Sequence, residues 1–388
     1  MRLLLVHHQH LDSNSGIHVV NLASHLSRLG VECVVCVPEA SPSIRAPGQP
    51  RFEIVEDSRL LAEIPARTFD LIHAWTPREQ TRRQVEALIR IHHCPYVVHL
   101  EDNEEWLISK YLHLPFPVLK RVPLCLLDRM VPRLLSHPRR YGDFLQKACG
   151  ITVIMDSLKA VCPPGIPVET IWAGYQEDLS WDRTADRECR RRLGIAEGVS
   201  PVVYTGNVHA ANRGEVAALY EAVDRLHRRG RPVLLIRTGN DYVSFPRGGS
   251  GPRRKAFCLE LGHRPRTEIP SLLSLADVLV QPGMPGPFND FRFPSKLPEF
   301  LASGKPVILP RTNIGLHLID RQECLHLEGG SAEEIARKME WLILDRSLRE
   351  RIGAGGRCFA QKHLRWGQLA RKMHAFYRVL LDRPGGSH

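Results

Sequence analysis

The feature that most constrains this chain is an alternation of short apolar runs with amphipathic stretches, and it runs through the sequence twice. Leu3–Val6 reads as a strand. Ile17–Leu29 carries Val20, Leu22, Leu26 and Leu29 at helical spacing and stops at Gly30, a residue suited to end a helix. Cys33–Val37, Leu71–Ala74, Tyr96–Leu100 and Gly150–Ile154 continue as strands, with a helix over Arg78–Ile91. Residues 174–200 are polar and charged and read as a linker. A second series then opens at Val202–Tyr204, with further strands at Val233–Ile236, Val278–Val280 and Val307–Leu309. Its helices are expected at Ala211–Arg229, Ser271–Leu275, Lys296–Ala302, 331–344 and 346–353, and a last one at Trp366–Leu381 follows a break near His363.

Parallel neighbours cannot be joined by a tight turn, so strand-helix-strand alternation implies parallel sheets with helices on both faces. The expected fold class is α/β, with two Rossmann-like parallel-sheet domains at 1–185 and 186–364. The final helix, within 365–388, would cross back onto the first domain. Ligands of open parallel sheets bind outside the carboxyl ends of the strands, which puts the expected site in an interdomain cleft. A length of 388 residues lets two such domains each bury a core without staples.

Composition narrows the function classes. Apolar residues are 43% and charged residues 24%, which excludes disorder, collagen and a coiled-coil rod. Lys plus Arg exceeds Asp plus Glu by 53 − 42 = 11, an excess that suits an anionic partner: nucleotide phosphate, nucleic acid or an acidic membrane face. A merely basic solvated surface would give the same sum. Of the ten cysteines, only Cys33 and Cys36 form a CxxC, and no second pair or paired histidines completes a zinc site. Reduced core cysteines in a reducing compartment are expected. The apolar run at Leu3–Val6 is too short for a signal peptide, and no run approaches a membrane span. The expected location is cytoplasmic, with the option of peripheral contact on the membrane face.

One segment breaks the alternation. Between Glu105 and Gln146 the chain is rich in Leu and Pro and carries Lys110, Lys120, Arg121, Arg129, Arg133, Arg139 and Arg140 with few acids. Leu124, Leu127, Val131 and Leu134 recur at roughly helical spacing. Such a segment reads either as a contact for an anionic membrane or acidic partner, or as a helical insertion packed on the sheet.

Several motifs are missing. No GxGxxG joins a strand to a helix, and Gly353-Ala-Gly-Gly356 follows a charged helix. Gly248–Lys255 lacks the spacing of a phosphate loop and reads as a mobile basic loop. HExxH, GxSxG and DxD are absent, the last being the carboxylate pair with which glycosyltransferases of another fold hold a metal. What remains is the stretch from Leu259 to Pro310, LELGHRPRTEIPSLLSLADVLVQPGMPGPFNDFRFPSKLPEFLASGKPVILP. It resembles the donor-binding half of glycosyltransferases of the GT-B fold, specifically the retaining family 4 type. Weaker pieces lie collinear with it: Ser15–Ile17, Asp70–Ala74, Val97–Asp102, Val153–Leu158, Val203–Gly206, Asp345–Leu348 and Trp366.

The resemblance implies roles for individual residues. Lys296, following Ser295 at the start of a helix, would neutralise the leaving diphosphate, because without a metal that charge needs cations and N–H groups. Gly206 would let backbone approach the phosphates, with Asn207 standing where the family often has Arg, and Arg213 would supply a second cation. Glu299, three residues beyond Lys296, would accept from the ribose hydroxyls, and His263 and Arg264 match the loop beside the base. The family usually has a second glutamate eight residues before Glu299. Phe291 occupies that place here, with Asp290 as the neighbouring substitute. On the acceptor side, Gly16 matches a glycine loop. Glu101 and Asp102 fall where the family commonly has His-Asp. These two acids would orient acceptor hydroxyls or support a cationic sugar, unless Asp102 or Asn103 merely caps the next helix. Ordinary surface roles, including a Lys296–Glu299 pair, are the plain alternatives.

The expected activity is transfer of a sugar from a nucleoside diphosphate sugar to a hydroxyl acceptor, saccharide or lipid-linked. The donor is a substrate, and no metal or organic cofactor is implied. The alternative is a non-catalytic or regulatory nucleotide-sugar binder of the same fold. A third class, nucleic-acid binding, rests on charge alone, since the basic residues are dispersed and no reading motif occurs.

Overall fold

The structure is a computed structural model that describes residues 1–38, 52–57, 68–177, 183–247 and 257–382. The basic loop Gly248–Lys255 lies outside the described residues.

In chain order the first sheet and its helices are β1 (Arg2–His7), α1 (Asn14–Arg28), β2 (Glu32–Val37), β3 (Glu53–Glu56), β4 (Leu71–Trp75), α2 (Glu79–His92), β5 (Tyr96–Leu100), α3 (Glu104–Leu112), α4 (Phe116–Leu119), α5 (Leu124–Met130), α6 (Tyr141–Gln146), β6 (Gly150–Val153) and β7 (Val168–Thr170). The second set is α7 (Arg183–Arg192), β8 (Ser200–Thr205), α8 (Arg213–Arg228), β9 (Val233–Thr238), β10 (Cys258–Glu260), α9 (Ile269–Ser274), β11 (Val278–Val280), α10 (Leu297–Ala302), β12 (Val307–Pro310), β13 (Leu325–Leu327), α11 (Ala332–Leu344), α12 (Arg346–His363) and α13 (Trp366–Leu381).

The strands form two sheets with orders β3-β2-β1-β4-β5-β6-β7 and β10-β9-β8-β11-β12-β13. Every pairing is parallel. Both are Rossmann-like, as the alternation requires. The strand order reverses direction between β1 and β4 in one sheet and between β8 and β11 in the other. Such reversals splay the crossovers apart and leave room for a ligand at the carboxyl ends.

The chain divides into two compact units. The first comprises Met1–Gly174, Phe291–Phe293 and the segment from Trp366; the second comprises Tyr175–Asp290 and Pro294–Arg365. The first unit thus ends before residue 185, and the stretch 174–200 is not a plain linker, since it holds the helix α7.

In the first unit, Leu3, Leu5, Val35, Leu71 and Val97 of the sheet meet Val19, Leu22 and Leu26 of α1. Trp366, Leu369, Met373, Tyr377 and Leu380 of α13, spaced three or four apart, close the same core. In the second unit, Val202, Tyr204, Leu235, Val280 and Ile308 pack beneath Val216, Leu219 and Val223 of α8 and Ile335 and Met339 of α11.

None of the ten cysteines is joined in a disulfide, and Cys33 and Cys36 are buried. They stand three apart on β2, so they face opposite sides of the sheet and cannot pair. Cys125 and Cys358 are exposed, which departs from the expectation of core cysteines throughout. Among the described residues no helix is long and apolar enough to cross a membrane.

Candidate functional site

The carboxyl ends of β1, β4 and β5 gather the chemistry of the first unit. Ser13 caps α1 by accepting from the Gly16 N–H at 3.0 Å. A side chain at Gly16 would meet the His10 carbonyl and Leu11 at 2.5 Å, so glycine is what lets this turn press against the loop. Next to it, the Ser15 hydroxyl donates to Glu101 Oε2. The Trp75 indole donates to Glu101 Oε1 at 2.9 Å, and His18 Nδ1 stands 3.4 Å from the same oxygen. Glu101 is buried, and burial alone would raise its pKa. Its His18 and Ser15 partners outweigh that cost and hold the carboxyl well below the usual glutamate range. The structure therefore brings Gly16 and Glu101 together through Ser15.

Asn103 caps α3, its Oδ1 accepting from the Trp106 N–H at 3.0 Å. That settles the capping alternative for Asn103 and leaves Asp102 to another partner. Arg78, buried between β4 and α2, donates to Asp102 Oδ2 at 3.0 Å and to Glu104 Oε1 at 3.3 Å. Its third contact is His8 Nε2 at 2.7 Å, while His8 Nδ1 faces the Trp75 carbonyl at 3.3 Å. Burial and the arginine charge push the His8 pKa down to about 2, so the ring is neutral and its Nε2 accepts. Burial also raises the Asp102 and Glu104 carboxyls, with Arg78 opposing. Thr76, at the end of β4, sits at φ +81°, a strained conformation for a β-branched residue.

In the second unit the site residues fall beyond the carboxyl ends of β8, β10 and β11. Gly206 follows β8 directly at φ +151°, and a side chain there would strike Lys296 Nζ at 2.6 Å. The Lys296 ammonium lies over the Tyr204 ring, 4.3 Å from its centroid. Lys296 is the cap residue of α10 rather than its first helical residue, and Ser295 precedes it, half-buried.

Asn207 braces the loop. Its Oδ1 accepts from the Asn240 N–H at 2.7 Å, and its carbonyl accepts from the Asn212 side chain at 3.1 Å. Arg213 is exposed on the first turn of α8. His263 is exposed as well, and Arg264 stands 3.9 Å from Glu268. Glu299 pairs with Arg266 at 2.5 Å rather than with Lys296. Burial raises the Glu299 carboxyl and the Arg266 charge counters it. Asp290 Oδ1 accepts from the Gly286 N–H at 3.0 Å and from the Thr312 hydroxyl, so that oxygen holds a turn together.

Sequence reasoning missed Arg78, Ser15, His18 and Trp75 around the two acids, and Tyr204 and Arg266 around Lys296 and Glu299. Trp75 had a usable signal, since it closes the strand beside the β1–β4 reversal.

Residues 256–358 match the family model described as Glycosyl transferases group 1. Anabaena Alr3699/HepE, solved in complex with UDP, is 15% identical, with 98% of this chain and 100% of that chain covered and a TM-score of 0.70. A glycosyltransferase from Rickettsia africae ESF-5 is 14% identical over 98% of this chain and 99% of that one, TM-score 0.71. WaaG, a glycosyltransferase involved in lipopolysaccharide biosynthesis, is 14% identical over 99% and 100%, TM-score 0.63. No curated protein sequence matches the chain. Over residues 256–358 the chain therefore carries a Glycosyl transferases group 1 domain, set in a fold shared with GT-B glycosyltransferases, and together these support a glycosyltransferase.

Proposed function

We propose that the chain is a retaining glycosyltransferase of the family 4 type that moves a sugar from a UDP- or GDP-sugar to a hydroxyl acceptor without a metal. Its product would belong to a cell-surface polysaccharide or glycolipid, and the acceptor would be a saccharide or lipid-linked. The observation that carries the reading is the Lys296 ammonium held over Gly206 at the end of β8, inside the unit that holds the family match. The complex of Alr3699/HepE with UDP supports a uridine donor.

In this reading the bond between the sugar's anomeric carbon and the diphosphate oxygen breaks, and both electrons leave with the diphosphate. Lys296 and Arg213 stabilise that developing charge. Glu299 accepts from the ribose once the ribose hydroxyls displace Arg266. The acceptor hydroxyl enters the oxocarbenium-like sugar from the face the diphosphate leaves, which retains configuration, and its proton passes to the departing diphosphate oxygen. Glu101, held anionic, supports the cationic sugar, and Asp102 orients the acceptor hydroxyl.

The test is transfer of radiolabelled sugar from UDP- and GDP-sugars, with Lys296→Ala beside the parent. We expect a loss of roughly 100-fold or more in transfer for the variant; full activity in Lys296→Ala would reject the assignment.

A second reading, a nucleotide-sugar binder without turnover, is favoured by one observation. Phe291 replaces the first family glutamate, and Asp290 has an oxygen committed to Gly286 and Thr312. Tight donor binding with neither transfer nor donor hydrolysis would select it.

A further inference from the structure

Among the described residues, the insertion after Asp102 leaves an apolar surface exposed. Ile108, Phe116, Leu119 and Leu127 turn inward and are buried. Tyr111, Leu114, Val118, Leu126, Met130 and Leu134 turn outward, with Tyr111 56% and Leu126 49% exposed. Seven of the sixteen exposed large apolar side chains among the described residues fall within 111–134, so this is a concentration rather than scatter.

The same stretch is strongly basic. Residues 106–139 hold Lys110, Lys120, Arg121, Arg129, Arg133 and Arg139 against one acid, Asp128, a formal 6 − 1 = +5. Asp128 is already engaged by Arg140 at 2.9 Å and by His137 at 3.5 Å. Two of the lysines lie over aromatic rings: Lys110 is 5.7 Å from the Trp106 centroid and Lys120 is 5.3 Å from Phe116. Long basic stems against apolar rings, with charged heads outward, form the arrangement that suits a boundary between water and hydrocarbon. The pieces are α3, α4 and α5, short turns separated by prolines, none of which offers a long groove for a partner helix.

We propose that this face docks on an anionic lipid surface, with the apolar side chains entering the headgroup boundary and the Lys and Arg residues meeting lipid phosphates. An acidic protein would supply charge but no reason for seven exposed apolar side chains, and a second copy of a chain with this charge would meet like with like. The docking deepens the reading of a lipid-linked acceptor. The nine residues of α3, roughly 13 Å long, run from Glu104 beside the two acids to the exposed face.

The test is sedimentation of the full chain with phosphatidylcholine vesicles, with and without phosphatidylglycerol, in the absence of nucleotide and acceptor. Binding is expected only with phosphatidylglycerol, weakening with salt. Arg129→Glu and Arg133→Glu should each lower the partition roughly fivefold or more. The exposed-site change Leu126→Ser with Leu134→Ser should lower it while keeping the salt dependence. Equal partition for parent and variants, or no partition, overturns the proposal. So does a dimer in solution that the same substitutions dissociate. A donor-induced rise in melting temperature, unchanged in these variants, shows that they fold. It also keeps a failure of docking separate from a failure of the proposed transfer.

Discussion

At the scale of single residues, the first unit sets two neighbouring acids in opposite electrostatic states. Glu101 is surrounded by donors and stays ionised, so its contribution to stability is present above the ordinary glutamate range and is lost as pH falls. Asp102 is raised by burial against the pull of Arg78, so its ionisation costs stability as pH climbs through the ordinary aspartate range toward the folded value. Arg78 acts through Asp102 and is a positioning residue. Replacing it with methionine removes the charge that lowers Asp102 and lets that carboxyl rise further. If transfer needs the carboxylate, the acidic limb of kcat/KM moves to higher pH in Arg78→Met and moves less in Arg78→Lys. An acidic limb that stays put in both would show that Asp102 is not the group that titrates there. Neither Arg78 nor His8 could be chosen from the sequence, because their partners lie 24 and 70 residues away along the chain.

At the scale of elements, the least legible feature was α12. The run Gly353-Ala-Gly-Gly356 breaks helical propensity, and a helix ending near 353 follows from propensity alone. The helix instead continues to His363. The glycines are spacers: a side chain at Gly353 would meet the Gly304 carbonyl at 2.2 Å, and one at Gly355 the Gln322 carbonyl at 2.1 Å. Packing against backbone outweighs propensity here. Gly355→Ala would gain about 1 kcal/mol in an exposed helix, but here it should destabilise the protein by about 1–3 kcal/mol, read from urea unfolding. A more stable variant would show that the helix does not press on that carbonyl. The strands β3, β7, β10 and β13 were missed for a different reason, since three or four residues that include a polar one show neither a clear period of two nor the unbroken apolar run of β11. By contrast α13 was legible to the residue, because its apolar stripe is long. It is also pinned by a buried bond between Tyr377 and His73 Nδ1 at 2.6 Å. Tyr377→Phe leaves that nitrogen unpartnered and should cost about 1–3 kcal/mol in the same measurement. A neutral result would mean that the edge-to-face ring contact and the apolar stripe hold the helix without that bond.

At the scale of the whole molecule, what the sequence made plain was the repetition, because strand-helix alternation leaves parallel sheets as the answer twice over. The family resemblance at 259–310 singled out Lys296 and the weaker piece at 203–206 singled out Gly206, and the two do come together. The partners of Glu101 and Asp102 were hidden because contacts across a sheet's carboxyl edge join segments that no local pattern connects. The division into two units, each with its own core, carries a separable prediction. A nucleotide held by the second unit should raise the melting temperature through that unit's residues alone. At a hundredfold excess of UDP or GDP over Kd, the rise should be roughly 5–10 °C for a unit of this size. Lys296→Ala and Glu299→Ala should abolish most of that shift, whereas Asp102→Asn, which touches only the first unit, should keep the shift and lose transfer. A shift that survives Lys296→Ala, or one that disappears in Asp102→Asn, would place the nucleotide elsewhere than over Gly206.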